Sequence, residues 1–251
     1  MAEPLLAVRG LRKRFGGLVA TDGVDLDVAA GETLAIIGPN GAGKTTLIGQ
    51  LSGDLRPDAG TITFAGADVT PLTAAARSHR GLARSFQITS IFRDFSTLDN
   101  VALAVQAHAG HSFRFWRAAR AEPTLRDPAR AILAQVGLED RADVVAGTLA
   151  HGEQRQLEIA MALATRPRLL LLDEPVAGMG PDESQRMEQL LRGLRGHHTI
   201  MLVEHDMDVV FALADRISVL VYGRVLATGT PEAIRLNAEV RRAYLGEEIP
   251  A

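Results

Sequence analysis

Hydrophobic and polar positions switch period several times along the chain. Residues 24–28, "VDLDV", alternate apolar and acidic side chains with period two, the mark of a half-buried strand. "TLAII" at 33–37 is a short unbroken apolar run ending at Gly38, which suits a strand buried on both faces of a parallel sheet. "TITFAGADV" at 61–69 reads as a strand followed by a turn. From about residue 91 to 164 the strand signals fade, and Ala, Leu, Arg and Gln recur at helical spacing. Apolar runs return in "RLLLLDEP" (168–175), "HTIMLVEH" (198–205) and "ISVLVYG" (217–223). Between the first two of these a helix is expected from Pro181, with Asp182 and Glu183 near its positive end and Arg192 and Arg195 near its negative end.

This order predicts an α/β fold, a core with a parallel sheet that also carries an antiparallel β portion and an inserted helical subdomain. The subdomain is expected at about 88–165, and a C-terminal amphipathic helix at about 231–247, within one domain of 251 residues. Composition narrows the class. The chain is 47% hydrophobic, enough for one large core, and its net charge of −3 offers no global basic field for nucleic acid. It has no cysteine, which excludes a disulfide framework and cysteine-ligated metal. The opening residues "MAEPLLAVRG" lack a basic segment and a long apolar run, so export is not expected. The apolar runs fall far short of the roughly 18 residues that a spanning helix needs.

The strongest chemical signal is "GPNGAGKTT", comprising Gly38, Pro39, Asn40, Gly41, Ala42, Gly43, Lys44, Thr45 and Thr46. It fits G-x-x-x-x-G-K-[ST] directly after a strand and before a helix-capable segment, so the core is of the P-loop NTPase type. Its glycines let backbone N–H groups curl around a phosphate, Lys44 adds a cation, and Thr45 offers a hydroxyl to Mg²⁺. Kinases, GTPases and motors share this loop. A second signal is Asp173 and Glu174, at the C-terminal edge of an apolar strand. Asp173 is expected to hold Mg²⁺ directly or through water, and Glu174 to polarise an attacking water, which points to hydrolysis rather than transfer. His205 ends the next apolar run and is expected at the same edge. Gln87, in "RSFQITSIF", could touch both Mg²⁺ and the attacking water. Phe15 either stacks on a purine ring or packs in the β portion.

Phe15, the loop at 38–46, Gln87, "LAHGEQ", "LLLLDEP" and His205 occur in an order that resembles the ATP-binding subunits of ABC transporters, over nearly the whole chain. "RKRFGGLVATDGVDL", "LAHGEQRQLEIAMALA", "EPVAGMGPDE" and "GTPEAIRLNAEVRRAYLGEE" resemble in particular the subgroup serving branched-chain amino-acid importers. The resemblance implies an ATPase whose working form pairs two cassettes head to tail. Two ATP molecules would lie between the loop of one and the signature of the other. A heterodimer with a sister subunit is expected, with a homodimer as the alternative. Partners would be integral membrane permease subunits and, indirectly, an extracytoplasmic solute receptor. The chain would lie peripherally on the cytoplasmic face of the cell membrane, with ATP and Mg²⁺ bound and no nucleic acid. Another transported solute, such as urea, other amino acids or exported lipopolysaccharide, would leave the ATP site unchanged. A soluble nucleic-acid-associated ATPase of the family would usually carry a long coiled-coil insertion or a second cassette, and neither is present.

The family signature, usually LSGGQ, matches Leu149, Ala150, His151, Gly152 and Glu153. Ala150 therefore lacks the serine hydroxyl that would donate to the γ-phosphate in trans, although a helix N-terminus there still presents backbone N–H groups. Gly180 stands where the family often has an aspartate that communicates across the dimer, with Asp182 close by. The stretch 108–131, rich in Arg with Phe113, Phe115 and Trp116, reads either as a solvated helical face with an aromatic anchor or as a docking surface for a membrane partner.

Overall fold

The computed structural model describes residues 3–85, 91–109 and 122–245. Gln87 and residues 110–121 of the basic aromatic stretch at 108–131 lie outside them. The chain divides into two compact units, one of Met1–Arg77, Leu171–Glu174 and Leu194–Ala251, the other of Ser78–Leu170 and Pro175–Gly193.

In the first unit, strands β1 (Leu6–Phe15), β2 (Leu18–Val28), β4 (Ala59–Phe64) and β5 (Ala67–Asp68) form an antiparallel sheet in the order β2-β1-β4-β5. Val24, Leu26 and Val28 are buried while Asp25 is exposed, as the alternation in β2 requires. Strand β1 escaped the period-two reading because its register with β2 shifts between Val8 and Leu11. The bulge puts Leu6, Val8 and Leu11 on the buried face although the spacing between the last two is odd.

Strands β3 (Thr33–Ile37), β7 (Leu169–Asp173) and β8 (Thr199–Val203) are buried along their whole length. Together with β9 (Arg216–Val221) and β10 (Arg224–Gly229) they run in the order β10-β9-β3-β8-β7. Strand β3 is parallel to both β8 and β9, whereas β10 turns back antiparallel to β9. Ala35, Ile37, Val210, Ile217, Val219 and Ile234 form part of a continuous core. Helix α1 (Lys44–Ser52) follows β3, and α7 (Met207–Leu213) follows β8 with Asp206 as its cap. The C-terminal extension differs from the single expected helix. It breaks into α8 (Pro231–Leu236) and α9 (Ala238–Val240), because Asn237 leaves helical geometry and its Oδ1 accepts the N–H groups of Glu239 and Val240.

The second unit contains β6 (Leu82–Arg84) and helices α3 (Thr97–Ala109), α4 (Pro123–Gln135), α5 (His151–Ala164) and α6 (Pro181–Leu194). Leu98, Val101, Ala129, Leu133 and Leu157 are buried, and Arg126 pairs with Asp99 at 3.0 Å. The short helix α2 (Ala74–His79) ends where this unit's sequence begins. The unit spans the 88–165 region and also takes in α6, which starts at Pro181 as the sequence indicates.

Candidate nucleotide-binding and hydrolysis site

The loop after β3 can be made only with glycine at two points. Gly38 has φ +153°, and a Cβ there would stand 2.0 Å from the carbonyl oxygen of Leu220. Gly43 has φ +101°, and its Cβ would stand 2.1 Å from the carbonyl oxygen of Ala20. Backbone is thus packed where side chains would be, which fixes the loop before any ligand arrives. Gly43 caps α1 without a side-chain hydrogen bond, and the first turn holds no acidic residue. Among the described residues, therefore, no side chain takes up the N–H groups at the positive end of α1.

Lys44 is buried, and its Nζ donates to the carbonyls of Gly38 at 2.6 Å and Pro39 at 3.1 Å. Burial pulls its pKa below the ordinary 10.5, against the opposing charges of Glu174 and Asp173. The loop cation and both carboxylates therefore share one electrostatic neighbourhood. Thr45 is exposed and Thr46 half-buried. The far end of α1 is gripped by Arg77, which sequence reading did not single out. This arginine is 1% exposed, and its Nη1 donates to the carbonyls of Gln50 at 2.6 Å and Leu51 at 2.7 Å. Burial lowers its pKa, yet a guanidinium on the last carbonyls of a helix complements the negative end. Nothing in a lone arginine of a short helix signals this role, since it depends on the return of α2 to α1.

Strand β7 delivers the two carboxylates differently. Asp173 is 2% exposed, whereas Glu174 takes φ +50°. A non-glycine residue in that region carries roughly 1–2 kcal/mol of strain. The kinked backbone is held by the Glu174 N–H, which donates to the carbonyl of Val203 at 2.8 Å. The parallel register of β3 with β8, Ile36 opposite Val203, brings the end of β8 to the same edge as the loop. His205 follows, with Nδ1 3.8 Å from Glu174 Oε1 and 3.7 Å from Glu204 Oε2. Glu204, which the sequence pattern does not single out, is fully buried, and its Oε2 accepts the N–H groups of His205 at 2.9 Å and Asp206 at 3.3 Å. A carboxylate immediately after an all-apolar strand was the available signal. Phe15 is no core residue. It is 49% exposed beside the Gly16-Gly17 turn of the β1–β2 hairpin, with Lys13 Nζ 5.7 Å from its ring centroid. The second strand of that hairpin supplies the Ala20 carbonyl that abuts Gly43.

In the second unit, Ala150 caps α5 in extended geometry and is exposed. Half a capping box is present: Glu153 Oε2 accepts the Ala150 N–H at 3.0 Å, while alanine has no oxygen to return. Glu153 Oε1 also accepts from Arg141 at 2.9 Å, so this carboxylate serves its own helix. Gly152 is buried, and its N–H donates to Glu183 Oε1 at 3.2 Å; His151 is exposed.

The sequence profile of the ABC transporter family matches residues 21–177, which is more than half of the chain. The chain belongs to the ABC transporter family. Residues 224–249 additionally match a profile described as branched-chain amino acid ATP-binding cassette transporter. Among curated relatives, the high-affinity branched-chain amino acid transport ATP-binding protein LivG of Escherichia coli is 42% identical, over 98% of this chain and 100% of its own. BraF of Pseudomonas aeruginosa, described in the same words, is also 42% identical with the same coverage. Among solved structures, the ADP conformation of an ATP-binding cassette from an ABC transporter is similar with a TM-score of 0.85 and 29% identity, over 98% of this chain and 100% of that one. The P-loop core and mixed sheets of this ABC cassette therefore agree with the α/β class expected from the sequence.

Proposed function

We propose that this ABC ATPase powers an importer of branched-chain amino acids, binding MgATP and hydrolysing it when paired with a second cassette. The observation that carries the reading is the rigid, uncapped start of α1 with Lys44, in the same unit as Asp173, Glu174 and His205. The substrate assignment rests on the relatives and on the C-terminal match.

The donor set fits both ligands. Free N–H groups at a helix start and an ammonium suit the β- and γ-phosphates, and a threonine hydroxyl with a buried carboxylate suits a hard cation. Residues 38–46 would cradle the phosphates, and Phe15, standing exposed, would stack on the base. Thr45, Asp173 and Gln87 would hold Mg²⁺, which when bound would offset charge on the phosphate oxygens. Glu174 would accept a proton as water oxygen bonds to the γ-phosphorus and the bond to the bridging oxygen breaks, releasing ADP with the electron pair. His205 would steady the γ-phosphate or that water, its Nδ1 side lying toward two carboxylates. Ala150, His151, Gly152 and Glu153 would meet the nucleotide of the opposite cassette, mainly through backbone.

The second cassette is a sister subunit in this reading, with two copies of this chain as the alternative. The pair would serve permease subunits at the cytoplasmic face of the membrane, with a solute receptor acting on the other side. No helix among the described residues is long and apolar enough to cross a membrane. Deleting the gene in its source organism should abolish high-affinity uptake of labelled leucine, isoleucine and valine. The native gene should restore uptake and the Glu174→Gln form should not. Unchanged uptake of all three would reject the substrate, and would favour another solute of the same engine.

A further inference from the structure

One carboxylate in the second unit serves the starts of two helices. Glu183 is the third residue of α6, and its Oε2 accepts the N–H of Gly180, the residue before that helix, at 3.3 Å. That alone would be an ordinary cap. Its other oxygen, Oε1, accepts the N–H of Gly152, the second residue of the signature helix α5, at 3.2 Å. The contact is steric as well as polar. A Cβ on Gly152 would stand 3.0 Å from Glu183 Oε1 and 3.1 Å from its carboxyl carbon. Neighbouring backbone joins the same junction, since a Cβ on Gly178 would lie 3.8 Å from the His151 ring. Two positive helix ends brought together would repel, and a shared anion offsets both. The residues joined are Gly152, at the start of the signature helix, and Gly180, in the loop after the two carboxylates of β7.

We infer that Glu183 is a positioning residue for hydrolysis, tying the start of the signature helix to the loop that follows Asp173 and Glu174 in sequence. Its two oxygens are given to backbone N–H groups. It sets where the N–H groups of α5 point, and so acts on the step that needs the signature. The inference rests on the reading of this site as a paired-cassette ATPase.

The test measures ATP hydrolysis by the full chain with its cassette partner, beside ATP affinity and thermal unfolding of each variant. Glu183→Ala should lower kcat roughly ten- to hundredfold, the penalty of small misplacement in a catalytic assembly, and leave ATP affinity within about twofold. Glu183→Gln offers one acceptor oxygen in place of two, so it should break one tie and fall between native and alanine. Gly152→Ala should crowd the carboxylate from the other side, and the double variant should lose far less than the product of the two single losses. A kcat within twofold of native in a folded Glu183→Ala or Glu183→Gln chain would overturn the inference, as would fully multiplicative losses. If the native pair hydrolyses ATP and Glu174→Gln does not, such a result rejects the Glu183 link alone. If the native pair fails to hydrolyse ATP, the ATPase reading fails and the link with it.

Discussion

Two helix starts in this molecule face the same physical problem and solve it oppositely. At α1 the cap is Gly43, the backbone is locked by close approach to Ala20, and among the described residues no side chain caps the leading N–H groups. At α5 the cap is Ala150, exposed, and the leading N–H groups are already engaged: that of Ala150 by Glu153, that of Gly152 by Glu183. The first has the make-up of an anion site, with a positive helix end and the Lys44 ammonium beside it. The second satisfies itself with the chain's own carboxylates and has little intrinsic appetite for a distant ligand. On the reading proposed above, ATP would bind at the first helix start, and the second would be used only when another cassette presents nucleotide to it.

The largest effects should fall on the first unit. If Glu174 is the general base, as proposed, replacing it by Gln should slow hydrolysis by about 10²–10⁴-fold while ATP still binds, as read by single-turnover kinetics beside equilibrium binding. Binding that disappeared with hydrolysis would mean that Glu174 belongs to the grip instead of the chemistry. Gly43→Ala should next break the preformed loop. Its φ alone costs roughly 1–2 kcal/mol before the contact with the Ala20 carbonyl is counted, so ATP affinity and melting temperature should fall together. Gly41→Ala, with nothing within 4 Å of the added carbon, should lose less of both.

At α5 the expected changes are gains. Ala150→Ser would complete the capping box with Glu153, adding about 0.5–2 kcal/mol of stability. It would also restore a hydroxyl donor, raising turnover or lowering KM severalfold, since bonds to charged groups are worth roughly 1.5–3 kcal/mol. Higher stability with unchanged kinetics would show that the missing hydroxyl matters only to the helix.

The smallest effect concerns Lys44. Its folded pKa lies below 10.5 while the unfolded chain keeps the ordinary value. Between the two, the unfolded chain binds more protons, so stability without nucleotide rises with pH through that window and levels off above it. The difference in unfolding free energy between native and Lys44→Met should shift in that direction as the pH rises toward 10.5. A flat difference would mean that the ammonium is not desolvated.

Much of this contrast is legible in the sequence, because the first unit is built from short-range rules. The Gly38–Thr46 spacing, the apolar run before Asp173 and the one before His205 each place a residue at a strand end without knowledge of the partners. What escaped depends on distant packing. The bulge in β1 hides its periodicity, the burial of Arg77 requires α2 to fold back on α1, and the double duty of Glu183 requires α5 and α6 to start side by side. The break at Asn237 was equally hidden, since the apolar spacing on either side suits a continuous helix. Gln87 stands outside the described residues, so its expected role rests on sequence alone.

The dependence of one site on two cassettes is tested most directly by the rate of ATP hydrolysis per molecule as the native protein, with its cassette partner, is diluted. The rate should fall on dilution toward zero as pairs separate, while ATP binding to the single chain persists. A rate per molecule that stayed constant at concentrations where only single chains remain would contradict that dependence.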